Sequence, residues 1–597
     1  MHGGRWRGRR DGAASGASWG VPLGASVLSA LVIVGPGLGR GYLLVRDMVF
    51  VPDPPLTGRL LGLGHENARA VPSDLVVSLA AQVLPGQLVQ KLVLLALLVA
   101  AGVGAAGLAP RGAAPGTAAA LAAVWNPFVG ERLAMGQWAL LVGYAALPWV
   151  LRGVVDVVRS DPDRPGGRRM LAVALVVGSL GGGLAWVTIG IGLLAGALVA
   201  VTPGRPRDAA RNGAWAGILW LVLALPWAVP ALVRPHGFAS DPAGFGVFAP
   251  RADTVLGVLG SLVTGGGIWN SAVVTPGRGT VVGGVAALLL LAWAAAGFVL
   301  TRAGSRRSLD PGAAVYRLPV LATGAVGLLI ALISTWPGLL EPLAGVPGGG
   351  LLRDGSRQLA PWALVVAVGC GWGVRWLARQ GARQALPWLA ALAPVAVLPA
   401  LGWGLSGTFV PVTYPADVRA VAAALGSARE PGAVAVLPFE AYRRYDWNGG
   451  RSSMTPWSRL VDRRVVASSD LVVVGPAGPN RVLGEDGYAT AVGRALEATE
   501  PGVALGRLGV RWVVIDAPGG AAPAGTSTVT AGPHVTLLRV DAPVDASWPQ
   551  RYDPPAAPVV AADIGWLVAC IGAVWATRLR RSPRGPAEEG LPSGSIQ

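Results

Sequence analysis

The sequence has little charge and few of the side chains on which soluble enzymes most often depend. Only 14% of its 597 residues are charged, and it holds two cysteines, four histidines and a single lysine; soluble domains carry about 25% charged residues. Cys370 and Cys570 both lie in apolar segments, which excludes a disulfide framework and a cysteine-based zinc site. The HExxH motif, the P-loop and, at a strand–helix junction, the motifs GxSxG and GxGxxG are also absent. These absences exclude the commonest classes of soluble enzyme.

Long apolar segments make up most of the chain instead. Hydrophobic residues account for 52% of it and the mean hydropathy is +0.53, which indicates a multi-pass membrane protein whose first partner is the lipid bilayer. The net charge of +17 comes from arginines in short runs between apolar segments. Nucleic-acid binding needs basic side chains clustered on one face of a soluble module, so we expect no nucleic-acid partner.

The apolar segments predict about twelve membrane-spanning helices, because one span needs about 20 apolar residues. The segments are Val21–Leu38, Leu84–Leu108, Ala118–Val124, Ala139–Val150, two short helices within Met170–Val201, Ala214–Leu232, Val281–Leu300, Leu318–Trp336, Leu359–Leu377, Leu386–Leu405 and Val559–Thr577. The first follows the basic run RWRGRR and fits either a signal peptide or an uncleaved helix. We favour the helix, since the run continues past a normal signal-peptide core.

The distribution of arginine predicts the orientation. Segments assigned to the inside, including both termini, hold 24 arginines, whereas the outer loops before residue 407 hold 10 arginines against 9 acidic residues. Because basic residues collect on the cytoplasmic side of short loops, we expect a plasma-membrane protein with both termini in the cytoplasm. The loops 40–84 and 234–280 then face outward.

The composition changes between residues 407 and 558, where 14 arginines meet 14 acidic residues. Short β-type runs alternate there with helical patterns, which indicates a small α/β domain. The runs are Val434–Leu437, Arg464–Ala467, Leu471–Val474, Trp512–Ile515 and Val535–Val540, and the helical patterns are Ala416–Leu425 and Tyr488–Ala498. We expect a membrane domain (1–407), an extracytoplasmic α/β domain (408–558), a last span (559–577) and a cytoplasmic basic tail (578–597).

Residues 125–149, WNPFVGERLAMGQWALLVGYAALPW, place a polar knot between two apolar segments. Pro127 cannot continue a helix, and every backbone amide in a bilayer needs a partner. The stretch therefore predicts a helical hairpin whose tip carries Glu131 and Arg132 at the membrane surface, as supporting residues of a site. The alternative is an ordinary turn in which these two side chains neutralise each other.

Ionisable residues near membrane depth are costly and therefore candidates for function. Asp47 follows the first helix in the outer loop, and Asp53 comes six residues later. A carboxylate there can deprotonate a sugar hydroxyl or bind a divalent metal. Lys91 lies about two turns into the second helix, counted at 3.6 residues per turn. The alternatives are that Asp47 is solvated and neutralised by Arg46, and that Lys91 extends its ammonium to the membrane surface.

The stretch LLRDGSRQ, residues 351–358, carries Arg353, Asp354 and Arg357 before a predicted span. Guanidinium groups bind phosphate in a bidentate manner, so this stretch is a candidate phosphate site. The alternative is a polar turn.

The stretch LPFEAYRRYDWNGGRS, residues 437–452, combines aromatic rings with arginine and aspartate. Arg443, Tyr445 and Trp447 are therefore candidates for stacking on and hydrogen-bonding a sugar acceptor. The alternative is a loop that packs its own aromatic side chains together.

Taken together, the Asp47 loop, the NPFVGERLAMGQW hairpin, the LLRDGSRQ loop and the C-terminal outer domain resemble a group of large actinobacterial and archaeal membrane proteins. These are similar to YfhO-like proteins and to the GT-C class of glycosyltransferases, including polyprenyl-phosphate-dependent arabinofuranosyl- and mannosyltransferases. The resemblance implies a GT-C-like fold of α-helical polytopic type. It gives the catalytic role to Asp47, because the class uses an acidic residue of the first outer loop. That class often has an adjacent acidic pair, which RDMVFVPDPP lacks, so the chain either uses another geometry or is not catalytic.

The resemblance implies an inverting glycosyltransferase that takes a sugar from a polyprenyl-phosphate donor and passes it to a cell-envelope glycan or lipid at the outer face. Asp47 would be the base or a metal ligand; no cofactor is required in the first case, and a divalent cation, Mg²⁺ or Mn²⁺, would be the cofactor in the second. Arg353, Arg357 and Lys91 would hold the donor phosphate, and the Arg443–Trp447 region would contact the acceptor. The alternative is a non-catalytic membrane protein, either a transporter of envelope precursors or an assembly partner. No duplicated half is visible, which weighs against transport.

Overall fold

The computed structural model describes residues 11–159, 166–200, 206–235, 239–303, 310–475 and 478–575. The N-terminal basic run, the expected cytoplasmic tail and parts of the loops used in counting inner arginines lie outside these ranges. The helices before residue 235 are α1 (Asp11–Val34), α2 (Ser73–Ala81), α3 (Gly86–Leu108), α4 (Ala113–Val124), α5 (Pro127–Ala134), α6 (Trp138–Val158), α7 (Gly167–Ser179), α8 (Gly182–Ala200), α9 (Pro206–Val222) and α10 (Leu225–Val233).

The remaining helices belong to the bundle or to the C-terminal unit. They are α11 (Ala243–Val247), α12 (Gly257–Val263), α13 (Val281–Ala303), α14 (Pro311–Ile333), α15 (Pro337–Leu340), α16 (Ala360–Arg379), α17 (Ala385–Ala391), α18 (Ala393–Val397), α19 (Gly402–Gly407), α20 (Ala416–Ser427), α21 (Trp457–Leu460), α22 (Gly487–Leu496), α23 (Pro501–Arg507) and α24 (Ala556–Trp575).

Within the described ranges, eight helices are long and apolar enough to cross a membrane, and α9 with α10, bent by 58°, makes up to nine. The chain is thus a multi-pass membrane protein, but the expected count of twelve spans is not confirmed. Two predicted spans are short, since α4 has 12 residues and α7 has 13. A third, Leu386–Leu405, is divided among α17, α18 and α19, because Pro394 and Pro399 each begin a new helical turn.

The short helix α4 lies inside the bundle, against α1, α3 and α16. Small residues allow this close packing, which is typical of helix contacts in membranes. A Cβ on Gly371 of α16 would lie 2.9 Å from the carbonyl oxygen of Pro115 in α4. A helix that is enclosed in this way need not cross the bilayer, so the span expected at Ala118–Val124 is not confirmed.

The predicted hairpin is present, but its tip is folded into the protein. The side chain of Asn126 accepts a hydrogen bond from the Val129 N–H and begins α5, with Pro127 as its first residue. Glu131 and Arg132 are 2% and 0% exposed. Both side chains are therefore enclosed by the protein, where neighbouring segments supply charged partners, and their expected exposure at the membrane surface is not confirmed.

The C-terminal unit is a mixed α/β structure, which confirms the predicted class. Its strands are β1 (Ala433–Leu437), β2 (Tyr442–Arg444), β3 (Ser452–Met454), β4 (Val465–Val466), β5 (Leu471–Gly475), β6 (Gly478–Val482), β7 (Val510–Ile515), β8 (Thr526–Ala531) and β9 (Thr536–Val540). The main sheet has the order β4-β1-β7-β9-β8; β1 pairs in parallel with β4 and β7, and β9 pairs antiparallel with β7 and β8. Tyr488 and Val492 of α22 pack with Val513 and Ile515 of β7 in its core.

The polar loops meet the C-terminal unit at one end of the bundle, which we call the domain end. In the first loop, the Arg46 N–H donates to the Ser452 carbonyl of β3 at 2.7 Å. In the loop 234–280, the Asp241 carboxylate accepts a hydrogen bond from the Leu483 N–H at 2.7 Å. These long-range contacts bring the polar stretches of the sequence to a common place.

Candidate active site

A cavity of about 660 Å³ lies at the domain end between the helix bundle and the C-terminal unit; we call it the main cavity. Part of its lining is apolar and includes Leu184, Trp186 and Trp227 of α8 and α10. The polar part contains Asp47, Arg69, Arg353, Arg357, Tyr442 and Glu485. A molecule with one apolar end and one anionic end matches this division.

Asp47 presents to the main cavity a carboxylate that forms no ion pair with any described arginine, lysine or histidine. It accepts hydrogen bonds from the Tyr442 hydroxyl and from Gln137 Nε2, the latter at 3.2 Å. The neighbouring Arg46 does not neutralise it, since that guanidinium donates to the carbonyls of Ala134 and Ala272 at 2.8 and 3.3 Å. The carboxylate can therefore accept a proton from a bound hydroxyl.

The backbone around Asp47 is fixed by the hairpin. Its N–H donates to the Met135 carbonyl at 3.1 Å. Gly136 has φ of 76°, and a Cβ there would lie 2.3 Å from the Val45 carbonyl oxygen. Only glycine allows this approach, so the glycine of the hairpin sequence sets the distance between hairpin and loop.

A buried polar network connects Asp47 to the LLRDGSRQ stretch. Gln137 links the two, because its Oε1 accepts from Arg132 Nη1 at 2.9 Å while its amide donates to Asp47. Arg132 also pairs with Asp354 at 3.1 Å, and Arg357 pairs with the same carboxylate at 3.1 Å. The three stretches on which the resemblance depends thus form one continuous network.

Six arginines and five acidic residues line the main cavity, so its polar part has a small excess of positive charge. Arg69 and Arg353 share the Glu485 carboxylate, at 2.8 and 3.4 Å, just as Arg132 and Arg357 share Asp354. Burial lowers the pKa of Arg353 to about 9, which leaves it charged at neutral pH. A phosphate group would neutralise these arginines and bind them by charge-assisted hydrogen bonds.

Two solved structures are similar to this chain. They are single-particle cryo-EM structures of the arabinofuranosyltransferase AftD from Mycobacteria, one of them of the mutant R1389S in its class 2. The TM-scores are 0.55 and 0.53 at 17% and 16% identity, with 89% and 88% of this chain covered. The chain has a GT-C-like membrane fold. It spans only 40% and 42% of the length of the matched AftD chains, and neither a family model nor a curated protein matches it.

In this GT-C-like fold, the remaining predicted residues lie outside the main cavity. Lys91 is buried and its ammonium donates to the Gly39 carbonyl at the end of the first helical segment. Asp53 is exposed. Glu131 lies in a separate buried cluster with Asp253, and burial together with that carboxylate raises the pKa of Glu131. Of the charged residues proposed for the site, Asp47 and Arg353 both line the main cavity, whereas Glu131 and Lys91 do not.

The stretch 437–452 packs largely against itself. Arg443 and Tyr445 are buried and both contact Asp516, at 3.0 and 2.7 Å. Trp447 stacks on Tyr445 with ring centroids 4.8 Å apart. This geometry corresponds to the alternative of a loop that packs its own aromatics. One residue of the stretch, Tyr442, lines the main cavity instead. The sequence did not single out Tyr442, because it belongs to a three-residue polar strand with no recognisable pattern.

No group of three or more histidine, cysteine, aspartate or glutamate side chains in the described ranges could hold a metal ion. In the polar part of the main cavity, Asp47 stands among arginines, and Glu485 is taken by two of them. The residues present therefore do not form a protein-supplied cation site. The divalent cation stays a prediction from the resemblance.

His65 joins the first loop to the C-terminal unit at the border of the main cavity. Its Nδ1 lies 2.8 Å from Asp486 Oδ2, and its Nε2 lies 3.3 Å from the Val465 carbonyl. Burial lowers the pKa of His65, but the Asp486 carboxylate outweighs burial and the pKa is raised above 6.5. Because a hydrogen-bond acceptor lies next to each ring nitrogen of His65, the contacts match the protonated imidazole, which donates from both nitrogens.

We expect this contact to make stability depend on pH. Because the pKa is raised on folding, the contribution is complete below about pH 6.5 and is lost as the pH rises through the folded-state value. His65→Gln should therefore lower the melting temperature of the purified protein most at about pH 6, with a smaller difference at about pH 9. An equal difference at both pH values would show that the ring is neutral throughout.

Proposed function

We propose that the chain is a membrane glycosyltransferase that transfers a sugar from a polyprenyl-phosphate donor to a cell-envelope glycan or lipid. The observation that supports this most is the unpaired Asp47 carboxylate in a cavity that has both surplus arginine charge and an apolar wall. The arginine distribution supports a reaction at the outer face, with both termini in the cytoplasm. AftD is an arabinofuranosyltransferase by name, which makes arabinofuranose the first sugar to test.

In this proposal the donor lies along the length of the main cavity. Arg353 and Arg357 bind its phosphate, and the wall around Trp186 and Trp227 takes the first isoprene units. Arg357 suits this role because its pairing with Asp354 uses Nε, while no described residue accepts a hydrogen bond from its terminal nitrogens. Lys91 has no part in the proposal, since it lies away from the cavity.

The transfer step follows from the position of Asp47. Its carboxylate takes the proton of the acceptor hydroxyl as that oxygen forms a bond with the anomeric carbon. The bond from that carbon to the phosphate oxygen breaks, and the leaving polyprenyl phosphate keeps the electron pair and is stabilised by the arginines. A single displacement inverts the anomeric configuration. Tyr442 and Gln137 orient the carboxylate through their hydrogen bonds.

Reconstitution of the full chain in liposomes tests the proposal. The vesicles receive polyprenyl-phosphate arabinofuranose or, in parallel, the mannose equivalent or a nucleotide sugar, with an envelope glycan extract as acceptor. We expect labelled glycan from a lipid-linked donor and none from the nucleotide sugar. Absence of both transfer and donor binding would favour the non-catalytic alternative, and transfer from the nucleotide sugar alone would contradict the donor class.

A further inference from the structure

A second cavity, of about 470 Å³, lies at the domain end next to the first loop. Arg46 lines it, whereas the next residue, Asp47, lines the main cavity. Arg444 of β2 and Arg451 line it as well. None of the described residues that line this second cavity is acidic. It is therefore a concave surface with three guanidinium groups and no carboxylate of its own.

The three arginines are not neutralised elsewhere. Arg46 donates to two backbone carbonyls, and Arg451 donates to the Val410 carbonyl and to the Asn448 amide oxygen, both at 3.1 Å. Arg444 is exposed, and its side chain makes no hydrogen bond or ion pair with a described residue. No described carboxylate lies within 4 Å of any of the three. Like charges held around one space repel each other, and a bound anion relieves that repulsion.

From the residues around the second cavity, we infer that it lies close to the edge of the membrane. Thr275 and Pro276 line it, and the spanning helix α13 begins at Val281. Residues 405–408, at the end of α19, form another part of the lining. Trp403 of α19 is 72% exposed, and exposed tryptophan is typical of the headgroup level of a bilayer. Phosphate esters are the anions concentrated at that level.

We propose that the second cavity is a phosphate-ester site in which Arg46, Arg444 and Arg451 bind a phospholipid headgroup or a soluble phosphate ester at the membrane surface. The guanidinium fork matches two phosphate oxygens at once. The site is separate from the main cavity and does not depend on the proposed transferase activity. Because Arg46 and Asp47 are consecutive, an occupied site also holds the backbone that carries the Asp47 carboxylate.

Binding to the purified full chain in detergent tests this proposal. The probes are dioleoyl phosphatidylglycerol, soluble glycerol 3-phosphate and, as a phosphate-free lipid, dioleoylglycerol; the Kd follows from the dependence of the melting temperature on probe concentration. Arg444→Gln and Arg451→Gln should each weaken phosphate binding about tenfold or more, the usual value of a lost charge-assisted hydrogen bond. Arg429→Gln is the matched control, because it removes an exposed arginine that does not line this cavity.

The outcomes separate the ligand sources and can overturn the site. Weakening of phosphatidylglycerol binding by both cavity variants, with glycerol phosphate bound poorly, supports a lipid headgroup. Equal binding of glycerol phosphate, weakened by the same variants, supports a soluble ester. Equal stabilisation by dioleoylglycerol, or Kd values that respond alike to all three substitutions, would refute a phosphate site here.

Discussion

Asp47→Asn is expected to lower the rate of sugar transfer by about 10²- to 10⁴-fold, which is the usual contribution of a positioned general base. The amide has the shape of the carboxylate. Its oxygen can still accept the hydrogen bond from Gln137 while its NH2 group donates to the Tyr442 hydroxyl oxygen, so the loop should keep its conformation. It cannot take the proton of the acceptor hydroxyl. The measurement is single-turnover transfer from the lipid-linked donor in proteoliposomes with matched protein levels.

The control for this prediction is Asp53→Asn. The substitution is chemically identical and lies in the same loop, but Asp53 is exposed and outside the main cavity. We expect transfer by this variant to equal that of the wild type. Donor binding should persist in Asp47→Asn, because the arginines that bind phosphate are unchanged. Full transfer by Asp47→Asn would remove the base assignment while leaving the phosphate-binding assignment intact.

The sequence was sufficient to predict the class of fold but not the number of spans. The observed helices Gly86–Leu108 and Val281–Ala303 match the predicted ones closely, because an uninterrupted run of about 20 apolar residues is typical of a membrane-spanning helix. The run that became α4 could not be distinguished from a span, since periodicity does not separate an enclosed helix from one facing lipid. In the C-terminal unit, β2 and β3 escaped prediction because they are three residues long and polar.

The sequence identified several of the stretches that form the candidate site, but it did not predict which side chains contact each other there. Asp47 and the LLRDGSRQ stretch were chosen because charge near a membrane is costly, and that reasoning led to the main cavity. Tyr442 was missed because it lies 395 residues from its partner Asp47, and no local pattern reports such pairing. Lys91 was chosen by the same reasoning but lies outside the main cavity, because the Gly39 carbonyl accepts a hydrogen bond from its ammonium and offsets the cost of burying it.

Asp354→Asn is expected to have the largest effect on stability. Asp354 is 1% exposed and neutralises two guanidinium groups, the buried one of Arg132 and the partly buried one of Arg357. Removing one partner of a buried ion pair costs about 3–5 kcal/mol, because the remaining charge stays desolvated. Here two like charges would remain side by side. The purified protein should melt at a clearly lower temperature, as measured by differential scanning fluorimetry in detergent.

Two further variants distinguish lost charge balance from a general loss of packing. Asp470→Asn makes the same change in an ion pair whose arginine, Arg481, is 68% exposed, and such pairs contribute about 0–1 kcal/mol. Its melting temperature should stay close to that of the wild type. Adding Arg132→Met to Asp354→Asn removes one uncompensated charge and should recover part of the loss, since contacting residues are coupled. The single variant Arg132→Met is measured as well. If the loss of melting temperature in the double variant equals the sum of the losses in the two single variants, Asp354 stabilises the site through packing, and charge does not hold together the network that carries Asp47.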